Sequence, residues 1–407
     1  MSRWPLPASR AALRTAPASA PPAALGPVLT FALCAAMAAC TTAPTLPPLE
    51  PYLRDELFTR PTQAIDPKDV FALSDEMRHY VHFEISRDLR IQGPLDGLVD
   101  ALYRKDRLKL SYDSAATRNA REAFEARKGN CLSLVLMTAA LAKELDLPVY
   151  YQLVHTDEMW SRSEDLLFLN AHVNVTLGIR ATDSTERFDA THSYTIDFLP
   201  SEDVTGLRES DIPEATVIAM YMNNRAAEAL ADGRFDQAYA WARAAVIQAP
   251  DFAAAYNTLA VIYLRHGDLE PAQIVLARLI DRYPADRTIL SNMIVVLGKL
   301  GRSAEAASLG EKLAALEPYP PFHFFRLGTQ AMQRGDYEQA RSLFRREVDR
   351  ADYNSEFHYW LGLAELRLGE VSAARRQIKI ALENSTSDHE HDVYAAKLAR
   401  LRSHETR

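Results

Sequence analysis

Five glycines, Gly233, Gly267, Gly301, Gly335 and Gly369, recur every 34 residues along the second half of the chain. Five alanines, Ala238, Ala272, Ala306, Ala340 and Ala374, follow them with the same period, and Pro250, Pro284 and Pro318 close the first three units. A period of this length is one supersecondary unit repeated, and one such unit cannot bury its own apolar face. The units must therefore stack, each on its neighbour, into a solenoid. The residue types fit a pair of antiparallel helices per unit. Glycine suits the reversal between them, and a small alanine lets the second helix approach the first. Proline cannot continue the preceding helix and so starts the next unit.

Period and phasing together resemble the tetratricopeptide repeat. The second unit carries the resemblance best, with Tyr256, Leu259, Ala260, Tyr263, Gly267, Ala272 and Pro284. The expectation is five repeats over residues 211–387, then a capping helix and tail over 388–407. That helix would bury Val393, Ala396, Leu398 and Leu401. The resemblance implies a surface that binds a protein partner. Aromatic residues gather in the last two units: Tyr319, Phe322, Phe324, Phe325, Tyr353, Phe357, Tyr359 and Trp360. They read either as core between helices or as a partner-binding patch.

The 407 residues are enough for two or three domains, and a chain 48% hydrophobic and 25% charged has an ordinary globular balance. With a net charge of -8 and no basic, aromatic-interleaved stripe, nucleic acid is not an expected partner. Cys34, Cys40 and Cys131 are the three cysteines, too few for a disulfide framework.

Two of those cysteines lie in what reads as an address. Residues 1–26 carry Arg3, Arg10 and Arg14 and no acid, and a short apolar run follows up to Cys40. This is the pattern of a signal peptide, over residues 1–40. Met37-Ala38-Ala39-Cys40 also resembles a bacterial lipobox, which implies diacylation of Cys40 and a membrane anchor. Ordinary signal cleavage, with Cys40 incidental, is the other reading. A proline-rich tether is expected over 41–65, and Thr41 after the cysteine implies, by the sorting rule of such lipoproteins, the outer membrane facing the periplasm.

The remaining thiol, Cys131, follows Lys128-Gly129-Asn130 and opens an apolar run to Leu145 that reads as a buried helix. A cysteine on the first helical turn meets free backbone N–H groups and the positive helix end, which favour a thiolate and suit an oxyanion. Arg127 and Lys128 add positive charge nearby. A nucleophilic thiol needs a base, and the base needs an orienting partner. His172 lies in the alternating, strand-like stretch Leu167–Leu177, and Asp189 lies in a second short strand candidate, Arg187–Ala190. Adjacent antiparallel strands would set the two side by side. Taken singly, a cysteine at an apolar helix start reads as packing, and a histidine in a strand as a satisfied or solvated residue. In this order they resemble the transglutaminase-like superfamily, over roughly residues 80–200. The resemblance implies a papain-like α+β domain (residues 66–210), with Cys131 as nucleophile, His172 as base and Asp189 as orienting acid.

Other polar residues have looser readings. His155 competes as a base, His192 stands near Asp189 as a supporting residue, and Gln152 and Asn170 are candidate oxyanion donors. Residues 157–165 read as a polar loop at the cleft rim. Helices are expected over Ser74–Ile85, Gly93–Leu108 and Ser114–Arg127. No phosphate loop or metal-ligand spacing is present, so neither cofactor nor metal is expected. Two functions follow. One is an envelope cysteine enzyme acting on a protein or peptide by hydrolysis or by transfer to an amine. The other is a non-catalytic lipoprotein scaffold whose repeats assemble partners.

Overall fold

The computed structural model describes residues 52–60, 64–104, 108–114, 116–163, 166–180, 192–198, 208–385 and 387–403; at 155–163, 166–171, 388 and 402–403 it describes the backbone alone. The expected signal peptide with Cys40, and the tether up to residue 51, lie outside the described residues. The later part of the tether does not hang free: residues 52–60 pack on the repeats.

Helices dominate the entry to the first domain. Helix α1 (Asp75–His79) is capped by Ser74, whose hydroxyl accepts the Met77 N–H at 3.2 Å. It runs on through a wider π turn, Tyr80–Glu84, into α2 (Ser86–Gln92) and α3 (Pro94–Tyr103). The third expected helix begins later than its composition suggests. Helix α4 (Ala120–Ala126) starts at a capping box between Asn119 and Glu122, which satisfies two orphan donors and fixes the boundary. Before it lies β1 (Ser111–Tyr112), paired in parallel with β2 (Lys128–Gly129).

Helix α5 (Cys131–Glu144) follows β2 directly. It is apolar on nearly every side, so it must be enclosed on nearly every side; residues 132–142 are all buried. One wall of the enclosure is a four-stranded sheet in the order β5-β4-β3-β6, built from β3 (Val149–Ser163), β4 (Leu166–Gly178), β5 (Ser193–Ile196) and β6 (Arg208–Ile212). All its pairings are antiparallel. Alternation on β4 gives Val173, Val175 and Leu177 to the core shared with α5. Residues 157–163, expected as a polar loop, extend β3, and Trp160 pairs with Leu169 across a hairpin.

The helical pairs that follow are α6 (Glu214–Ala231) with α7 (Phe235–Gln248), α8 (Ala253–His266) with α9 (Leu269–Arg282), and α10 (Arg287–Lys299) with α11 (Ser303–Leu316). Then come α12 (His323–Arg334) with α13 (Tyr337–Val348), α14 (Ser355–Arg367) with α15 (Val371–Glu383), and α16 (Asp388–Ser403). The five periodic glycines occupy the five reversals, and all have positive φ, between 71° and 107°. That is the left-handed conformation a side chain resists. Ala238, Ala272, Ala340 and Ala374 are fully buried.

Two features of the array depart from a uniform stack. The apolar core of the first domain continues through α6 to Leu297 on α10, whereas α12–α14 and α15–α16 hold separate clusters. Helix α11 between them has no buried residue. The aromatic gathering splits accordingly: Phe322, Phe324, Phe325 and Phe357 are core, while Tyr319 is exposed. At the C-terminus, Tyr394 with Leu398 and Leu401 forms the buried side of α16, the Tyr394 ring lying 4.7 Å from that of Tyr359 at a tilt of 31°. Val393 and Ala396 face out instead.

Candidate functional site

The loop before α5 is held by a small hydrogen-bond network. Asn130 caps the helix: its Oδ1 accepts the Ser133 N–H at 2.9 Å and the Ser133 hydroxyl at 2.7 Å. Its Nδ2 donates to Thr117 Oγ1 at 3.0 Å, and Ser133 Oγ accepts the Arg118 N–H at 2.8 Å. Gly129 is required by space, because a Cβ there would meet that of Ser133 at 2.6 Å. Cys131 is thus fixed as the first residue of α5, partly exposed and not disulfide-bonded. Tyr112, opposite Gly129 in the β1–β2 register, reaches the Cys131 backbone. Burial first, then Cys131 and Asp113, raise its phenol above the ordinary range.

His172 is 1% exposed on β4. Its Nε2 lies 2.8 Å and 2.9 Å from the two carboxylate oxygens of Asp197. Asp197 directly follows β5, whose Ile196 pairs with Val175 of β4, so the sheet register delivers the carboxylate. Burial works against a charged imidazole, but the hydrogen bonds to Asp197, the nearness of Cys131 and the charges of both outweigh it and raise the His172 pKa to about 10. Nδ1 is buried and makes no hydrogen bond of ordinary geometry, which leaves it as the ring nitrogen for the neighbouring thiol. A thiol and a carboxylate on opposite sides of one imidazole can pass a proton from sulfur to ring while the ring stays oriented.

The structure therefore brings Cys131 and His172 together, with Asp197 as the carboxylate on His172. Asp189 lies outside the described residues. Asp197 was missed because β5 is short, yet a signal exists: Tyr194, Ile196 and Phe198 alternate with Thr195 and Asp197, and Ile196 and Phe198 are buried. Nearby positive charge is already partnered. Lys128 pairs with Asp113 at 3.4 Å, and Arg127 donates to the Leu108 carbonyl at 3.3 Å. His192 bonds to Asp96 at 3.0 Å and to Tyr194 at 3.1 Å. The His155 backbone sits inside β3 opposite Arg208.

A polar cavity of about 450 Å³ lies elsewhere on the sheet, lined by Gln152, Thr176, Arg180, Ser193, Thr195, Glu209 and Asp211. Neither Cys131 nor His172 lines it. Gln152, expected as an oxyanion donor, is engaged here at both ends of its amide: Oε1 accepts the Thr176 hydroxyl at 3.0 Å and Nε2 donates to Asp211 at 3.3 Å. The Asn170 side chain is outside the described residues. Among the described residues, no His, Cys, Asp or Glu group of three could hold a metal ion, and no helix is long and apolar enough to cross a membrane.

The tetratricopeptide repeat family matches residues 229–291 and again residues 325–389. The C-terminal half is an array of tetratricopeptide repeats. Among curated proteins, the cytochrome c-type biogenesis protein CycH of Rhizobium meliloti is 29% identical over 128 residues, 31% of this chain. The chain spans only 33% of that relative's length. Solved structures similar to the chain include a thermophilic tetratricopeptide-repeat protein of Thermus thermophilus, at 20% identity over 44% of this chain and 99% of that one (TM-score 0.28). Another is YrrB, a tetratricopeptide-repeat protein with an unusual peptide-binding site, at 18% identity over 44% and 92% (TM-score 0.24).

Proposed function

We propose that this protein assembles partners through its tetratricopeptide array, held at the bacterial envelope by a lipid on Cys40. The observation that carries the reading is the array itself: five helical pairs in 34-residue phase, the part of the chain with family matches. Repeat arrays present extended surfaces and contribute little chemistry of their own. A relative named for cytochrome c-type biogenesis makes the components of such a process the first partners to try. The test is affinity capture with the mature chain, with and without surface substitutions on α8 and α10. Capture that ignores array substitutions would sink the reading. For the anchor, Cys40→Ser should abolish lipid labelling and release the protein to the periplasm; unchanged membrane retention would refute it.

A second reading is favoured by one specific observation, the contact of buried His172 with Asp197 beside Cys131. In it the first domain is a transglutaminase-like, papain-like acyl-transfer domain. Cys131 attacks a carboxamide or peptide carbonyl, His172 takes the thiol proton and returns it to the leaving amine, and Asp197 keeps the ring oriented. Water as acceptor makes the protein a peptidase or amidase, and an amine makes it a cross-linking enzyme. Peptide-release and amine-incorporation assays on wild type and Cys131→Ala decide it. Equal turnover, or a Cys131→Ala variant that fully restores a deletion strain, leaves assembly as the whole function.

A further inference from the structure

Residues 52–60 lie along the first repeats as a bound peptide would. The segment makes one 3₁₀ turn, Asp55–Leu57, across α7 and α8. Three hydrogen bonds hold its backbone: Tyr263 Oη donates to the Tyr52 carbonyl at 2.8 Å and accepts the Arg54 N–H at 3.0 Å, and Asp236 accepts the Thr59 N–H at 2.9 Å. These contacts read no side chain.

Tyr52 meets Tyr256 edge-on at 6.0 Å, and Leu53 packs on the core, but two side chains carry the charged and the deepest contacts. The Asp55 carboxylate accepts from Tyr239 Oη at 2.7 Å and from Arg243 Nε at 2.8 Å. Phe58 is buried, its ring parallel to that of Tyr239 at 4.1 Å and 4.7 Å from that of His266. Between them, Glu56 and Leu57 are exposed. A backbone clamp with a charged anchor and an aromatic pocket is how grooves recognise short linear peptides. The aromatic pocket supplies the buried contact, and the Arg–carboxylate pair sets the register.

We infer that the α7–α8 face is a peptide-binding site for a segment with a carboxylate followed three residues later by an aromatic ring, and that residues 52–60 are its displaceable resident. The inference rests on the reading that the repeats recruit a protein partner, and it names the chemistry of that partner's docking segment. Hydrogen bonding from Arg243 above all holds the Asp55 carboxyl below its ordinary range, so the anchor is ionised at neutral pH. A tethered resident competes at an effective concentration in the millimolar range, so only a tight or locally concentrated partner displaces it. Displacement would lengthen the reach between the first domain and any anchor upstream of residue 52.

The experiment uses the mature full chain and a fluorescein-labelled peptide with the sequence of residues 50–60, read by fluorescence polarisation. Asp55→Ala with Phe58→Ala vacates the site. The vacated chain should bind the peptide saturably, and wild type about tenfold or more weakly. Adding Arg243→Ala, or placing Asn and Ala at the peptide's acid and aromatic positions, should cost the vacated chain a further tenfold or so. No saturable binding to a vacated chain whose circular dichroism matches wild type overturns the inference, as does equal binding to both chains. If the vacated chain does not fold, a protease site placed at residues 61–63 serves instead. After cleavage, excess unlabelled peptide should release the resident on gel filtration, and a resident that stays bound makes it a permanent strap. Partner capture is not involved in either assay, so failure here leaves the assembly reading to its own test.

Discussion

Asp197 places both carboxylate oxygens within 2.9 Å of His172 Nε2, on a histidine ring almost wholly withdrawn from water. The thiol of Cys131 neighbours the same ring, so the imidazole joins two groups 66 residues apart in sequence, at 131 and 197. If the pair activates the thiol, Asp197→Asn should slow iodoacetamide alkylation of Cys131 near neutral pH by at least tenfold. Any peptide turnover should fall by about 10²–10⁴-fold. Asp189→Asn run in parallel separates the two candidate acids. An alkylation rate unchanged by Asp197→Asn and lowered by Asp189→Asn would return the role to Asp189.

The same contact has a pH signature. Asp197 and Cys131 raise the His172 pKa from 6.5 to about 10 on folding, so the folded state binds its proton more tightly. The stabilisation is fully present below about 6.5 and drains away as pH rises toward about 10. The melting temperature of wild type minus that of His172→Gln should therefore shrink over that window. A difference that stays flat or grows from pH 6.5 to 10 contradicts the assignment.

Asn130 both caps α5 and ties it to Thr117, so its loss should be felt at the thiol as well as in stability. Asn130→Ala is expected to cost about 1–2 kcal/mol in urea denaturation, as for a lost helix cap. Alkylation at Cys131 should slow as the first turn frays. A stability loss with an unaltered alkylation profile would mean that the cap does not position the sulfur.

Two glycines inside repeat helices should respond oppositely to alanine. Gly298 on α10 has open space where a Cβ would go, so Gly298→Ala should stabilise by about 0.5–1 kcal/mol. At Gly328 on α12 a Cβ would lie 2.6 Å from the ring of Phe344, which is fully buried. Gly328→Ala should destabilise by about 1–3 kcal/mol. Thermal unfolding of the two variants side by side checks the sign of each.

What could be read from the sequence follows the range of the interactions involved. The repeats were legible because their constraints are local: a left-handed glycine at each reversal and a small alanine at each close approach recur at fixed distances along the chain. Cys131 and His172 stood out for the same reason, one after a Gly-Asn cap signal, the other in an alternating strand. The carboxylate on His172 depended on which strand pairs with β4 and in what register, and no local pattern reports that. The fate of residues 52–60 was hidden likewise. Asp55 and Phe58 look like ordinary linker residues until the fold brings Arg243, Tyr239 and His266 to meet them. The seam at α11 is tertiary too, since its sequence keeps the 34-residue phase while its side chains find no deep contact. The sequence by itself determined the repeat phase and singled out Cys131 and His172, whose neighbourhoods are written locally. Only the tertiary structure decided which distant groups share a contact, because sheet register and helix stacking are set by the summed burial of many side chains and not by any one of them.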